Sequence, residues 1–382
     1  MRILHVVPTY LPATRYGGPI YSVHGLCKAL AARGHEVHVF TTDVDGSSVS
    51  DVPLEQAVDL DGVQIWYFGT GLGRRLYRSP LMARALDQRI DAFDILHLHS
   101  VFLWPTTFAA RLAQRRQIPY VLTPRGMLVG DLIRKKSWLL KTSWIELFER
   151  ANVRGAAALH LTAEVEAVEI RKLGFKPSRV DIIPNGVDMP PEELDEQCEK
   201  RLRVLSLGRV NWKKGLDRLI AAMAYVPQAE LVIAGNDEEG YCERLEVCAK
   251  EAGVGDRILF QGPVHGAAKW RLLRSCHVFA MASYSENFGV AALEAMACGR
   301  PVVVTPQVGL AQSVRETGAG VVADGAPEMF GRALLTLLND AETRERMGRA
   351  GAKAAAERFS WARVSERIEN VYQECLNVPS SC

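Results

Sequence analysis

The sequence predicts an α/β architecture: two doubly wound, parallel-sheet domains facing each other across a cleft. Three observations carry that expectation. Strand and helix signals alternate from residues 2–7 to 180–183, and again from 204–207 to 320–323. The break between the two runs, Pro184 to Lys200, holds Pro190-Pro191 and the acidic cluster Glu192, Glu193, Asp195 and Glu196, the composition of a linker. A length of 382 residues suits two domains rather than one. The expected boundaries are 1–185 for the first domain and 201–358 for the second.

Each element has its own signal. Residues 2–7 open the fold as an apolar strand. Gly17-Gly18 forms a loop, and Pro19 starts a helix, where its missing N–H is no loss. Ile20, Val23, Cys27, Leu30 and Ala31 fall on one face of that helix, and Gly34 ends it. Further strands are expected at 36–41, 63–68, 95–99, 120–123, 157–162 and 180–183. In the second run they fall at 204–207, 230–234, 258–261, 278–282, 302–305 and 320–323. The last helix, 361–377, carries Trp361, Val364, Ile368, Val371, Tyr372 and Cys375 on one stripe, so it can cross back onto the first domain.

The bulk properties exclude several classes. A net charge of +2 is too small for a dedicated nucleic-acid binder. Hydrophobic content of 48% is ample for two cores. No apolar run approaches the roughly 18 residues of a membrane span. The first residues lack the long apolar run and cleavage site of a secretory signal. The eight cysteines form no C-x-x-C pair, which fits reduced thiols in a cytoplasmic protein.

The most informative stretch is Ser285 to Gly299. Glu286 follows an apolar strand, and Glu294 lies inside the next helix, eight positions on. Between them Asn287, Phe288 and Gly289 make a turn that exposes the helix's first amides, an anion site. Carboxylates beside such a site can accept hydroxyls, which suggests a ligand both phosphorylated and polyhydroxylated. Arg209, after Leu207-Gly208, and Lys214, before Gly215, stand at a strand's carboxyl end, where open α/β sheets bind ligands. A guanidinium and an ammonium suit a diphosphate and its growing charge on departure.

These residues together resemble the retaining glycosyltransferases of family 4, with the GT-B fold. The resemblance extends to the Gly17-Gly18 loop, to the turn Asn185-Gly186-Val187-Asp188 and to Pro301-Val302-Val303. It implies that Arg209 and Lys214 bind the donor diphosphate and that Glu294 holds the ribose. It also implies that Glu286 contacts the transferred sugar, that Asn287, Phe288, Gly289 and Val290 lie near sugar and phosphate, and that Gly17 and Gly18 approach the phosphate. A nucleotide-sugar is then the donor, and a glycan or lipid-linked oligosaccharide the acceptor, in extracellular polysaccharide or lipopolysaccharide biosynthesis. No cofactor and no metal are expected, and Asp43-Val44-Asp45 reads as an acidic turn rather than a cation site.

One departure stands out. Many relatives place a histidine in the loop after strand 120–123; here that position is Arg125. An arginine stabilises negative charge but relays no proton near neutrality. His97 and His99 end the strand before it. They are taken to alternate faces, so that one of them faces the cleft, and His99 is the candidate.

Residues 134–150 read as an amphipathic helix. Leu140, Trp144, Leu147 and Phe148 form its expected core stripe. Arg134, Trp138, Lys141 and Ile145, with Lys135 beside them, form a face suited to an anionic membrane, at the inner side of the plasma membrane. Two other functions share the architecture. A sugar-nucleotide epimerase would form product without an acceptor, and a non-catalytic nucleotide-sugar binder would tolerate loss of Glu286 and Lys214. An oxidoreductase is disfavoured, since residues 7–18 lack a G-x-G-x-x-G fingerprint.

Overall fold

In a computed structural model, which describes residues 1–13, 17–135, 138–192, 201–237 and 240–377 (the side chains of 131, 132 and 135 excepted), the chain divides into two compact units. One comprises Met1–Gly186 with Trp361–Cys382, the other Val187–Ser360. Glu193, Asp195 and Glu196 of the expected linker lie outside the described residues, as do Cys198 and Cys382.

The first unit is built on an eight-stranded sheet. Its spatial order is Val180–Ile182, Ala158–Leu161, Tyr120–Thr123, Ile95–His99, Arg2–Val6, Glu36–Thr42, Val63–Phe68 and Ala57–Leu60. All neighbours are parallel except the last pair. Period-two alternation splits the strands between two cores. Leu4, Val6, Phe40, Leu96 and Leu98 face one way, against Met82 and Leu86. Ile3, Val37, Val39, Ile65 and Ile95 face the other, against Leu26, Leu30, Val364, Ile368 and Tyr372.

Helix Trp361–Asn377 supplies part of that second core, with Val364, Ile368, Val371, Tyr372 and Cys375 buried. Its position depends on two glycines. A Cβ on Gly25 or on Gly186 would come within 2.3 Å of the Trp361 indole, so only hydrogen at both positions admits the ring.

The second unit has a six-stranded parallel sheet in the order Ile258–Gln261, Ala229–Ala234, Leu202–Leu207, Val278–Met281, Val302–Val304, Gly320–Val322. The strand order reverses at Leu202–Leu207, so the loops after this strand and after Val278–Met281 share one crevice.

Three features differ from expectation. Ala57–Leu60 adds an antiparallel edge strand, and Val44–Asp45 pairs with Ser48–Val49 in a short hairpin. Both are short and largely solvated, so the hydrophobic pattern carries little signal. Asp43 ties this region down: its Oδ1 accepts from Thr70 N at 3.1 Å and from Thr70 Oγ1 at 2.9 Å.

The third difference lies in the expected amphipathic helix. Among the described residues it covers Gly130–Lys135 and Trp138–Trp144, then passes through a π-turn at Ile145–Glu149 into Arg150–Gly155. Leu140 and Leu147, expected in the core, are 75% and 65% exposed, while Ile145, expected outside, is buried. A π-turn adds a residue to the helical repeat and rotates the residues beyond it. Glu149 anchors the turn from within. It is buried and accepts from Phe102 N at 2.8 Å, Trp144 Nε1 at 2.9 Å and Asn152 Nδ2 at 3.2 Å. The side chain of Lys135 lies outside the described residues.

Candidate active site

In the second unit, the chain leaves strand Leu202–Leu207 through Gly208, at φ 148°. The backbone there is crowded: a Cβ on neighbouring Gly235 would lie 1.8 Å from Gly208 O. Arg209 is the next residue. Asn211 then caps a short 3-10 turn, Trp212–Lys214, its Oδ1 accepting from Lys213 N at 3.1 Å. Gly215 ends the turn at φ 60°, and a Cβ on it would lie 2.0 Å from Ala282 O. Glycine here lets the turn close against the end of strand Val278–Met281. That closure delivers Lys214 to Glu286, and the two side chains form an ion pair, each about one-fifth exposed. A small cavity beside them is lined by Gly208, Arg209, Lys214, Ser206 and Met281.

The turn carrying Glu286 is pinned by main-chain bonds to a neighbouring loop. Glu286 N donates to Gln307 O at 3.1 Å, Gly309 N to Glu286 O at 3.0 Å, and Leu310 N to Phe288 O at 2.7 Å. Phe288 is buried, and Gly289 takes φ 101° to begin helix Val290–Ala297. A Cβ at Gly289 would press on Val308 Cγ1 at 2.8 Å. The first amides of this helix have no intrahelical acceptor and carry the positive dipole end. Cation, carboxylate and helix start thus sit within one loop cluster.

Glu294 is on the same helix. Its expected partner is a ligand hydroxyl; the structure supplies Lys269, whose Nζ donates to Glu294 Oε1 at 2.7 Å. Burial raises the Glu294 pKa, and the Lys269 ammonium opposes that rise. Sequence reasoning does not single out Lys269. Its signal is faint: a lone cation in the first turn of the helix after Gly262-Pro263. An open groove of about 660 Å³ lies alongside, lined by Asp217, Arg218, Tyr284 and Asp324, and it does not include Lys214, Glu286 or Glu294.

The remaining candidates lie in the first unit. Gly17, at φ 67°, caps helix Gly18–Ala32, and a Cβ on Gly18 would meet nothing within 4 Å among the described residues. Arg125 sits in a left-handed conformation, φ 56°, followed by Gly126 at φ 71°. Glu166 holds that loop, accepting from Gly126 N at 2.6 Å, Thr162 N at 2.7 Å and Thr162 Oγ1 at 2.8 Å. Arg125 Nη1 donates to Asn185 Oδ1 at 2.8 Å, and Nη2 to His99 Nδ1 at 3.2 Å.

His97 and His99 do not alternate faces. Two positions apart on a strand, they point the same way, and their ring centroids lie 4.2 Å apart, the planes tilted by 32°. His99 is 1% exposed and lies behind Arg125 rather than at a surface. His5 pairs in register with His97 on the adjacent strand, so its ring joins them.

His5, His97 and His99 bring ligand-type nitrogens within 4.8 Å of one another, as a metal site would require. Their hydrogen bonds assign those nitrogens otherwise. His160 Nε2 meets Ile183 O at 2.9 Å and therefore donates, which leaves His160 Nδ1 to accept from Thr123 Oγ1 at 3.0 Å. Thr123 has spent its hydrogen, so His97 Nε2 donates to it at 2.7 Å, and His97 Nδ1 accepts from Tyr372 OH at 2.6 Å. Arg125 can only donate, so His99 Nδ1 accepts, and His99 Nε2 donates to His5 Nδ1 at 2.9 Å. Every imidazole is neutral with a fixed tautomer. Burial, first, and Arg125, second, hold the His5 and His160 pKa values down to about 3.

Two such α/β units in one chain occur in known proteins. Residues 17–186 match the glycosyl transferase 4-like domain, and residues 194–354 the glycosyl transferases group 1. The chain is 30% identical to a D-inositol 3-phosphate glycosyltransferase of Xylanimonas cellulosilytica, over 98% of this chain and 96% of the relative. It is 27% identical to an uncharacterized glycosyltransferase of Methanocaldococcus jannaschii, over 99% of both. Among solved structures, sucrose-phosphate synthase from Thermosynechococcus elongatus superposes with a TM-score of 0.78 at 21% identity, over 98% and 99% of the two chains. Anabaena HepE, in complex with UDP and glucose, gives 0.75 at 19%, over 98% and 100%.

The protein is therefore a glycosyltransferase of the GT-B fold. It belongs to the group 1 family, with the 4-like domain at its N-terminus.

Proposed function

We propose that the protein is a retaining, metal-independent glycosyltransferase that carries a sugar from a nucleotide-sugar to a hydroxyl of a glycan or lipid-linked oligosaccharide. The observation that supports this most is the loop cluster of the second unit. There, Lys214 and Glu286 form an ion pair beside the start of helix Val290–Ala297. The donor diphosphate takes Glu286's place on Lys214, with Arg209 and the amides at Gly289 and Val290 as further donors. Glu286, released, accepts from a hydroxyl of the transferred sugar. Glu294, oriented by Lys269, accepts from ribose.

The acceptor oxygen attacks the anomeric carbon on the face from which the diphosphate departs. The bond from that carbon to the leaving oxygen breaks, and the departing phosphate takes the acceptor's proton. Arg209, Lys214 and the helix dipole stabilise the charge growing on the phosphate, which is what a divalent cation would otherwise supply. The family resemblance further assigns Arg125 to the reacting sugar-phosphate and Gly17-Gly18 to the phosphate.

Thermal shift against UDP, GDP and ADP and their sugars tests the donor site. A ligand at a hundred times its Kd stabilises by about 2.7 kcal/mol. The matching nucleotide-sugar then gives product of unchanged anomeric configuration only when an acceptor is added. Product without acceptor would favour an epimerase, and no shift with any nucleotide would overturn the donor site.

A specific observation favours work at an anionic membrane surface. Trp138, Leu139, Leu140 and Leu147 are 54%, 68%, 75% and 65% exposed on one short segment, with Arg134 exposed beside it. No helix among the described residues is long and apolar enough to cross a membrane. Burying these side chains in the headgroup region yields roughly 25 cal/mol per Å² of apolar area. Wild-type protein is expected to co-sediment with phosphatidylglycerol vesicles, and a Leu140→Glu/Lys141→Glu variant to stay in the supernatant. Wild-type protein left in solution ends this reading.

A further inference from the structure

We propose that His99, backed by His5, is a positioning residue that aims the Arg125 guanidinium without neutralising it. The proposal rests on the reading that Arg125 faces the reacting sugar-phosphate. Arginines at partly buried sites are commonly aimed by carboxylates, which cancel much of the charge they orient. Arg125 is held differently. Its two side-chain acceptors, Asn185 Oδ1 at 2.8 Å and His99 Nδ1 at 3.2 Å, are both neutral groups. The carboxylate that approaches it, Glu166, accepts instead from Gly126 N and from both donors of Thr162.

The histidine keeps its acceptor face toward Arg125 because of the ring that lies behind it. His99 Nε2 carries the ring hydrogen and gives it to His5 Nδ1 at 2.9 Å. If His99 took the other tautomer, Nδ1–H would point at an Arg125 N–H, and Nε2 and His5 Nδ1 would need a new arrangement. His5 in turn carries its hydrogen on Nε2, which is buried with no partner among the described residues. A buried donor left without an acceptor is destabilising. The pair therefore retains an unfavourable group that good packing alone would remove, which a positioning role explains and a filler role does not.

The Arg125 backbone gives the same indication. A non-glycine residue at φ 56° is strained relative to a right-handed conformation. The loop is nonetheless fixed by Glu166 below and by His99 and Asn185 at its tip. The two Nη hydrogens not used by those acceptors remain for an anionic ligand.

Two polar substitutions separate the acceptor role from packing. Asn at 99 puts an amide oxygen where Nδ1 stands and so restores the acceptor for Arg125. Gln reaches the Nε2 position and keeps the bond to His5, but offers Arg125 no acceptor. With the nucleotide-sugar that gives the largest thermal shift, His99→Asn is expected to keep kcat within about threefold. His99→Gln should lower kcat by roughly 10- to 100-fold, with donor KM within twofold. Combined with Arg125→Ala, neither substitution should lower kcat further, since a residue acting through another is silent once its target is gone.

The reverse ranking, or losses that multiply in the Arg125→Ala background, would overturn the proposal. Wild-type kcat in Arg125→Ala alone would overturn the reading of Arg125 on which it stands. Side-chain ¹⁵N spectra of histidine-labelled protein give a readout independent of activity. His99 is expected to be protonated on Nε2 in the wild type and to lose that preference in Arg125→Ala; a fixed Nδ1–H tautomer in the wild type contradicts the geometry.

Discussion

Lys214→Ala is expected to reduce kcat by about 10²- to 10³-fold, the loss typical of removing one preorganised group that stabilises transition-state charge. The argument is geometric. Gly208, Asn211 and Gly215 fold the chain tightly enough to bring Lys214 onto Glu286, ahead of helix Val290–Ala297. In the resting protein its ammonium is matched by one carboxylate. In the proposed donor complex it would meet a diphosphate whose charge rises as the bond to the anomeric carbon breaks, so its contribution would grow toward the transition state. The KM for donor should rise less than kcat falls. Stability should change little, because the ion pair is partly exposed and solvent screens it. Glu286→Gln tests the other half of the pair: it keeps a hydrogen-bonding group toward the sugar but removes the charge. A Lys214→Ala enzyme with wild-type kcat would remove Lys214 from the mechanism and with it the proposed role of this loop cluster.

The second large effect is on stability. The first unit is expected to lose stability as pH falls below about 6.5, and the cause is the histidine cluster. In the unfolded chain each imidazole binds a proton near pH 6.5; in the fold, His5 and His160 do so only near pH 3. His97 and His99 are held lower than normal by the same burial. The unfolded state thus binds more protons throughout the interval from 6.5 to 3, so stability rises with pH there and is lost on acidification. At pH 5 each of His5 and His160 should cost about 2 kcal/mol relative to neutral pH.

Arg125 and Tyr372 border the cluster, and neither changes charge in this range. Glu149 and Glu166 act in the opposite sense: burial raises their pKa values, so the fold takes up their protons early and gains from acid. The histidine contribution is isolated by His160→Gln. Its denaturation midpoint should fall less steeply between pH 7 and 5 than that of the wild type. Parallel slopes would mean that His160 does not remain neutral in the fold.

These two effects differ in how far the sequence announces them. Glu286 and Lys214 are legible because each belongs to a local pattern. One lies in a strand–turn–helix with an exposed helix start, the other in a Gly-bounded turn after a strand, and both patterns are set by residues within ten positions. The ion pair between them is not legible, since Lys214 and Glu286 are 72 positions apart and meet only when Gly215 closes on Ala282 O. Lys269 on Glu294 is hidden for the same reason. The partner expected there is a ligand, and the fold supplies one of its own.

The histidine cluster is legible in part, and the expectation of alternating faces is wrong. Two residues apart on a strand share a face, which places His97 and His99 together, and strand register brings His5 beside them. Their partners Thr123, His160 and Tyr372 come from two other strands and the last helix. The segment 134–150 departs in another way. Its expected stripe depends on an unbroken 3.6-residue repeat, and the π-turn fixed by buried Glu149 shifts the pattern, burying Ile145 and leaving Leu147 in solvent, while Leu140, ahead of the turn, is exposed as well.

By itself, then, the sequence determined the features that depend on near neighbours: strands and helices from hydrophobic period, two α/β units from their alternation, the turn at Asn287–Gly289 from glycine and a helix start. Tertiary structure alone decided which charges meet, which histidine nitrogens carry hydrogen and which leucines stay in water. Those outcomes depend on burial and on hydrogen-bond partners from distant strands, and neither is written in local spacing.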